Sequence, residues 1–377
     1  MYIMNPVTHE GLIKYISYTL AGSDIKEQLT RRYSDFFALR EKLREVWPGV
    51  YVPLIPPKQS IGNTEKAFIK KRARLINKFC YKLSKFPFMY SCDEVLVFQT
   101  YKNDYAKFAE KKPKVSVANI LENYKAAFTD YPENYDMILG KSRIKEYEVF
   151  AKKTALNLKT FHECIIKCST RREAEMKAYF DMMKEMEFYE NEVLKPYTGN
   201  NEEKLILANT KSPATKEKAD GLEKCLNNPY IALEEWIEEE RLDIDAVLEA
   251  FASLNNLSTR VEKLGVKIEN IDHETKQLQY GKQGFISGLL KSKDAKMTEL
   301  ENEKTKSIQD LEGLDIINKM AYFRMEQFFK EFKEQKVLSY YKAMKLYALL
   351  QRDNDMYNHE LWNEAKNAVI NIKTGAS

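Results

Sequence analysis

Three basic elements within the first hundred residues carry the chemistry this sequence offers. They are Arg31-Arg32-Tyr33-Ser34-Asp35-Phe36, the Lys58 that closes Pro53-Leu54-Ile55-Pro56-Pro57, and Lys70-Lys71-Arg72. A guanidinium presents a planar fork of donors that matches the oxygens of a phosphate. Residues 1–100 hold 16 Lys and Arg against 9 Asp and Glu, leaving 44 and 47 for the rest of the 377 residues. The basic end is therefore where an anionic partner is expected. Two plainer readings stand beside this one. The basic residues also fit a solvated face, and Pro53 to Lys58 fits an SH3 ligand, PxxP followed by a cation.

Other chemistry has little to work with. The five cysteines (Cys80, Cys92, Cys164, Cys168, Cys225) lack zinc spacing, and the four histidines are scattered. Cys164 and Cys168, four apart and beside His162, could form a metal corner. Small buried apolar residues of a reduced cytosolic protein are the expected reading, with no metal and no cofactor. The sequence shows no nucleotide loop or catalytic triad, so an enzyme is not expected. Aromatics patterned for core packing speak against nucleic acid as the partner. No run of about 18 apolar residues spans a membrane, and Met1 to Pro6 has no secretory pattern. Any membrane contact is then expected to be peripheral, from the cytosolic side.

The elements that must position the basic residues can be read from periodicity. Residues 10–33 alternate and are rich in β-formers, with Ala21-Gly22-Ser23-Asp24 as a hairpin turn. From Ser34 the period becomes helical, through Phe37, Leu39, Leu43 and Val46, until Trp47-Pro48-Gly49 stops it. A second helix carries Phe68, Ile69, Arg72, Leu75, Ile76, Phe79 and Leu83, and a third is predicted from about Asp93 to Tyr105. Three strands' worth of β followed by helices makes an α+β domain. Only 13 Gly and 11 Pro in the chain are too few for an all-β fold.

RRYSDF, then PPK, then FIKKRARLINKF resembles the PX (phox homology) domain in motif order and spacing. The resemblance implies binding of phosphatidylinositol 3-phosphate. It implies that Arg32 holds the 3-phosphate, that Tyr33 stacks under the inositol ring and that Lys58 meets the 1-phosphate near the bilayer. Arg72 would bond the ring hydroxyls at positions 4 and 5, which disfavours lipids phosphorylated there. Arg74 points elsewhere on the helix. Ile61 is the one obvious apolar insertion residue in the loop after Lys58, so penetration should be shallow.

A lysine-rich linker, Lys107 to Lys114, leads to Val115–Phe128, a short amphipathic segment suited either to a membrane interface or to packing onto the long helices downstream. Beyond Tyr135 the chain is predicted to form three very long helices, about 136–196, 229–280 and 293–370. On the first, Ile144, Tyr147, Ala151, Leu158, Phe161, Ile165 and Cys168 share one face. Helices of about 60 to 75 residues would be roughly 90–110 Å long. An elongated antiparallel three-helix coil, dimerised side by side, would bury such stripes. The stretch Asn228-Pro229-Tyr230 through Ala250, and the late segment Ala321 to Trp362, are similar to sorting-nexin BAR domains.

Together the two resemblances imply a sorting nexin of the PX–BAR class. The expected fold is an α+β PX domain (1–108), a linker with a possible amphipathic helix (109–134) and an all-α elongated three-helix coiled-coil BAR domain (135–377). The implied protein is a homodimer or heterodimer with another sorting nexin. It would sit peripherally on the cytosolic face of endosomal membranes, bind anionic lipid, and sense or induce curvature in endosomal sorting and vesicle trafficking. A dimeric scaffold that recruits proteins without remodelling membrane is the rival reading. The membrane tip between the second and third helices would present Lys282, Phe285, Ile286, Leu289, Leu290, Lys291 and Lys293. Each lysine near an anionic surface contributes about 1 kcal/mol before screening. Lys141, Arg143, Lys152, Lys153, Arg171 and Arg172 either line the concave face or are ordinary solvated charge.

Overall fold

The computed structural model describes residues 1–10, 15–23, 25, 28–58, 65–132, 134–198, 227–279 and 293–374. The chain begins with strands β1 (Tyr2–His9), β2 (Tyr15–Ala21) and β3 (Leu29–Arg32), paired antiparallel in that order. The central β2 is buried from Ile16 to Leu20. Its register sets Ser17 opposite Arg32 and Tyr18 opposite Arg31. β1 carries a bulge between Met4 and Val7, with Asn5 at φ 50°. Asn tolerates that left-handed turn, and Pro6 has no N–H to give a ladder.

β3 runs directly into α1 (Tyr33–Val46), which buries Phe36, Leu39, Leu43 and Val46. These recur at three, four and three residues, the spacing of one helix face. After an extended proline stretch come α2 (Lys66–Leu83), α3 (Pro87–Tyr90), α4 (Asp93–Thr100) and α5 (Tyr105–Lys111). The helix expected from Asp93 to Tyr105 is thus two helices. Asp104 starts the second by accepting from the Lys107 N–H at 3.1 Å, an N-cap that competes with continuing the first.

α6 (Val117–Ala127) is capped by Ser116 and buries Ile120 and Tyr124. The rings of Tyr124 and Phe128 lie 5.6 and 5.9 Å from Trp47, and the Tyr124 hydroxyl donates to the Pro48 carbonyl. Of the two readings of this segment, its apolar face is used for packing. The long helices are α7 (Met137–Phe188), continued by a π turn at Tyr189–Leu194 and α8 (Lys195–Thr198), then α9 (Tyr230–Gln279) and α10 (Lys293–Thr374). Among the described residues no helix is long and apolar enough to cross a membrane.

Contacts divide the chain into two units. The first joins Met1–Ala155 to Arg241–Lys333, so the N-terminal domain and the adjoining stretches of the long helices form one packed body. Tyr51 stacks on Phe328 at 4.5 Å and donates to Asp243, which also pairs with Lys82. Arg40 donates to the Pro53 carbonyl at 3.0 Å and pairs with Glu249. Gly49, at φ +84°, donates to Ser253 Oγ at 2.8 Å, and a Cβ there would stand 2.9 Å from Leu254. The turn after α1 therefore needs glycine for conformation and for closeness.

The second unit joins Leu156–Glu240 to Glu334–Ser377. Ile165, Leu233, Ile237 and Ala343 form its core, and Trp236 Nε1 donates to Ser339 Oγ at 3.0 Å. On α7, Ile144, Ala151 and Ile165 are buried as expected, whereas Phe161 and Cys168 are exposed and His162 and Ser169 are buried in their place. Cys164 is exposed as well, so two of the cysteines expected inside lie outside. An ideal helix drifts about 20° per heptad against a strict seven-residue repeat, which turns the inner seam from one neighbouring row to the next.

Candidate functional site

Arg31 and Arg32 are adjacent and have opposite fates. Arg31 is 1% exposed; its guanidinium donates to the carbonyls of Phe98 (2.7 and 3.1 Å), Thr30 (3.0 Å) and Tyr101, and lies over the Phe98 ring. Burial holds its pKa below the usual arginine range, with Asp35 and Tyr105 acting the other way. This side chain is a strut between β3 and the end of α4.

Arg32 ends β3 and stands at the N-cap of α1, where the Asp35 carboxylate accepts from its backbone N–H at 2.8 Å. The other Asp35 oxygen accepts from the Ala106 N–H at 3.1 Å, which ties α5 to the same junction. Burial raises the Asp35 pKa against these two backbone donors. The backbone of Arg32 is thus fixed while its side chain, 43% exposed, projects outward. The guanidinium lies 4.5 Å over the ring of Tyr15, whose other neighbour is the stacked ring of His9. One nitrogen reaches Asp104 at 3.6 Å, in a half-exposed pair of the kind that contributes at most about 1 kcal/mol. A dianionic phosphate would displace so weak a partner.

Tyr33 is anchored by a 2.6 Å hydrogen bond from its hydroxyl to the Pro56 carbonyl. Pro53 and Pro56 are buried and their carbonyls accept from Arg40 and Tyr33, so the proline run shapes this wall and is not displayed as an SH3 ligand. Arg72 is sandwiched between Tyr33 at 4.5 Å and Phe68 at 4.2 Å and is 7% exposed. Burial lowers its pKa, with Tyr18 and Tyr33 acting in the opposite sense. Its Nε and Nη2 have no hydrogen-bond partner among the described residues. Two buried guanidinium donors without acceptors cost about 1–3 kcal/mol each. A ligand's oxygens would remove that cost.

Lys58 is exposed and shares a cleft of about 440 Å³ with Tyr33, Phe37, Ala38 and Ala106. Tyr33 is therefore the hub: it follows Arg32 in the chain, touches Arg72 and lines the cleft with Lys58. The guanidinium of Arg32 goes to Tyr15 and Asp104 instead of joining Arg72. Residues 59–64, with Ile61, lie outside the described residues. So do 280–292, which hold Lys282, Phe285, Ile286, Leu289, Leu290 and Lys291; Lys293 begins α10, and its side chain is likewise not described. Sequence reasoning passed over Tyr15, Phe68 and Asp104 as site residues. An Asp three residues ahead of a lysine at the head of a helical run was the one available signal for Asp104.

The profile of the PX domain matches residues 21–102. Sorting nexin-41 of Yarrowia lipolytica is 32% identical over 120 residues, covering 29% of this chain and 20% of that protein. Sorting nexin MVP1 of Saccharomyces cerevisiae is 34% identical over 103 residues (26% and 20%), and sorting nexin-8 of Homo sapiens 32% over 84 residues (22% and 18%). The cryo-EM structure of the SNX-BAR Mvp1 tetramer shares the fold at a TM-score of 0.57 and 18% identity, covering 97% of this chain and 99% of that one. The chain carries a PX domain and shares the fold of that SNX-BAR structure. The chain spans about a fifth of the length of the curated relatives it matches. Its α+β head followed by long helices is the expected fold, found over nearly the whole chain.

Proposed function

We propose that this protein is a sorting nexin of the PX–BAR class, a non-enzymatic peripheral membrane protein that binds phosphatidylinositol 3-phosphate and acts as a dimer on curved endosomal membrane. In this reading residues 1–108 read the lipid, 109–134 link, and 135–377 supply shape. The observation that carries it is Arg72, held between two aromatic rings with buried donors and no acceptor among the described residues, beside a Tyr33 that Arg32 immediately precedes. Arg32 would take the 3-phosphate and release Asp104. Tyr33 would carry the ring, Arg72 would meet the 4- and 5-hydroxyls, and Lys58 would approach the 1-phosphate. A pocket that meets bare hydroxyls with stacked, immobile donors leaves little room for further phosphates.

Exposed apolar side chains along α7, including Ile138, Val149 and Leu156, support a second copy packing on the helices. Dimerisation would place two pockets on one surface, and avidity would then turn weak headgroup binding into stable attachment. On the first helix Arg143 is engaged by the buried Glu326 at 2.7 Å, and Lys152 and Arg172 pair with Glu148 and Glu175. Those three cations are part of the helix surface's own pairing. Flotation of the full chain on phosphatidylcholine–phosphatidylserine vesicles tests the reading. Vesicles with phosphatidylinositol 3-phosphate should recruit it, while unphosphorylated or 4,5-bisphosphorylated inositide should recruit far less. Equal recruitment by all three would refute headgroup selection. Bound protein that leaves vesicles spherical at high coverage would favour the scaffold reading.

A further inference from the structure

The second unit contains a group of ligand-type side chains that the lipid reading does not use. His162 on α7 is 9% exposed and faces Glu234 and Glu238 of α9, both half-buried. One ring nitrogen and one oxygen from each carboxylate all lie within 4.8 Å of one another. Positions 234 and 238 are one helical turn apart, so α9 presents both carboxylates from one face. The imidazole comes from the facing helix. Around them are Ile165, Leu233 and Ile237, with Phe161 and Trp236 6.2 Å apart.

An imidazole with two carboxylates is a ligand set for zinc-like divalent ions, with bonds of about 2.0–2.2 Å. Small rotations of the two glutamates, whose side chains have three soft torsions each, would draw the oxygens from this spacing to within coordination distance. Three protein ligands leave the remaining position for water.

We propose that His162, Glu234 and Glu238 form a divalent-cation site, of zinc-like preference, that clasps α7 to α9 within the second unit. Its role is structural: binding the folded arrangement and not the separated helices stabilises that arrangement by mass action. The site is independent of the lipid pocket. It also differs from the corner that Cys164 and Cys168 suggest in the sequence, because those two cysteines are exposed and lie outside the cluster.

Cobalt(II) substitution tests it on the chelator-treated full chain, with zinc competition as the second readout. One equivalent of cobalt should bind, give visible d–d bands without a thiolate charge-transfer band, and raise the melting temperature. Zinc should displace it. Glu234→Gln and Glu238→Gln, which keep shape and remove charge, should each weaken binding by roughly tenfold or more. A Cys164→Ser/Cys168→Ser double variant should bind as the parent does. Failure of the unaltered chain to take up cobalt or zinc would overturn the proposal and leave an imidazolium–carboxylate cluster. So would a thiolate band lost in the cysteine variant, or uptake unchanged in folded Glu238→Gln. The wild-type spectrum decides even where a variant does not fold.

Discussion

Replacing Arg32 by glutamate should abolish phosphoinositide-dependent vesicle binding while leaving the melting temperature nearly unchanged. Each charge-assisted hydrogen bond to a phosphate contributes about 1.5–3 kcal/mol, and a bidentate grip makes two. Reversal removes both and sets a carboxylate against the phosphate, so a loss of ~100-fold or more is expected. Stability should be spared because the side chain is half exposed and its ion pair with Asp104 is a long one at the surface. The backbone hydrogen bond from Arg32 to Asp35 does not depend on the side chain. Co-sedimentation with vesicles carrying phosphatidylinositol 3-phosphate, alongside a thermal melt, reads both effects. Undiminished binding by this variant would contradict the assignment of Arg32.

One residue earlier, Arg31→Met should do the reverse of what Arg32→Glu does. Methionine fills similar volume, but the carbonyls of Phe98 and Tyr101 lose their donors inside the domain. Each buried carbonyl left without its donor costs about 1–3 kcal/mol, because it stays desolvated. For a body of this size that corresponds to a fall of roughly 10 °C or more in melting temperature. Protein kept folded at low temperature should still bind vesicles, since Arg31 points into the core and not into the pocket. A melt indistinguishable from the parent would show that the strut between β3 and α4 contributes little.

These two neighbours mark how far local sequence reaches. The string RRYSDF predicts a strand-to-helix junction, and β3 does end at Arg32 with α1 starting at Tyr33. Alternation along β3 puts two consecutive arginines on opposite faces of the sheet. Which one faces the core depends on α4, sixty residues on, and no local pattern encodes that. Helical phase favours Arg72 over Arg74, yet the sandwich around Arg72 needs Tyr33 and Phe68 to converge from two helices. The long helices are legible because their apolar repeats persist over many turns, and their ends fall within a few residues of the expected ones, apart from the last turn of the third.

The features that local pattern hides have identifiable causes. β1 is obscured by Asn5 and Pro6, which break alternation at the bulge. The helical run from Asp93 to Tyr105 hides the cap at Asp104, and with it the carboxylate that reaches Arg32. On α7 a repeat of seven predicts Phe161 and Cys168 inside, but the seam shifts by one row and brings in His162 and Ser169. That shift is also what sets His162 before Glu234 and Glu238.

Titration of the full chain with soluble, short-chain phosphatidylinositol 3-phosphate measures the pocket without help from membrane or avidity. The account predicts saturable one-to-one binding, lost in Arg32→Glu, strengthened in Asp104→Asn, and weaker for the 3,4- and 3,5-bisphosphates. Binding that ignores the 3-phosphate, or that survives Arg32→Glu intact, would contradict it.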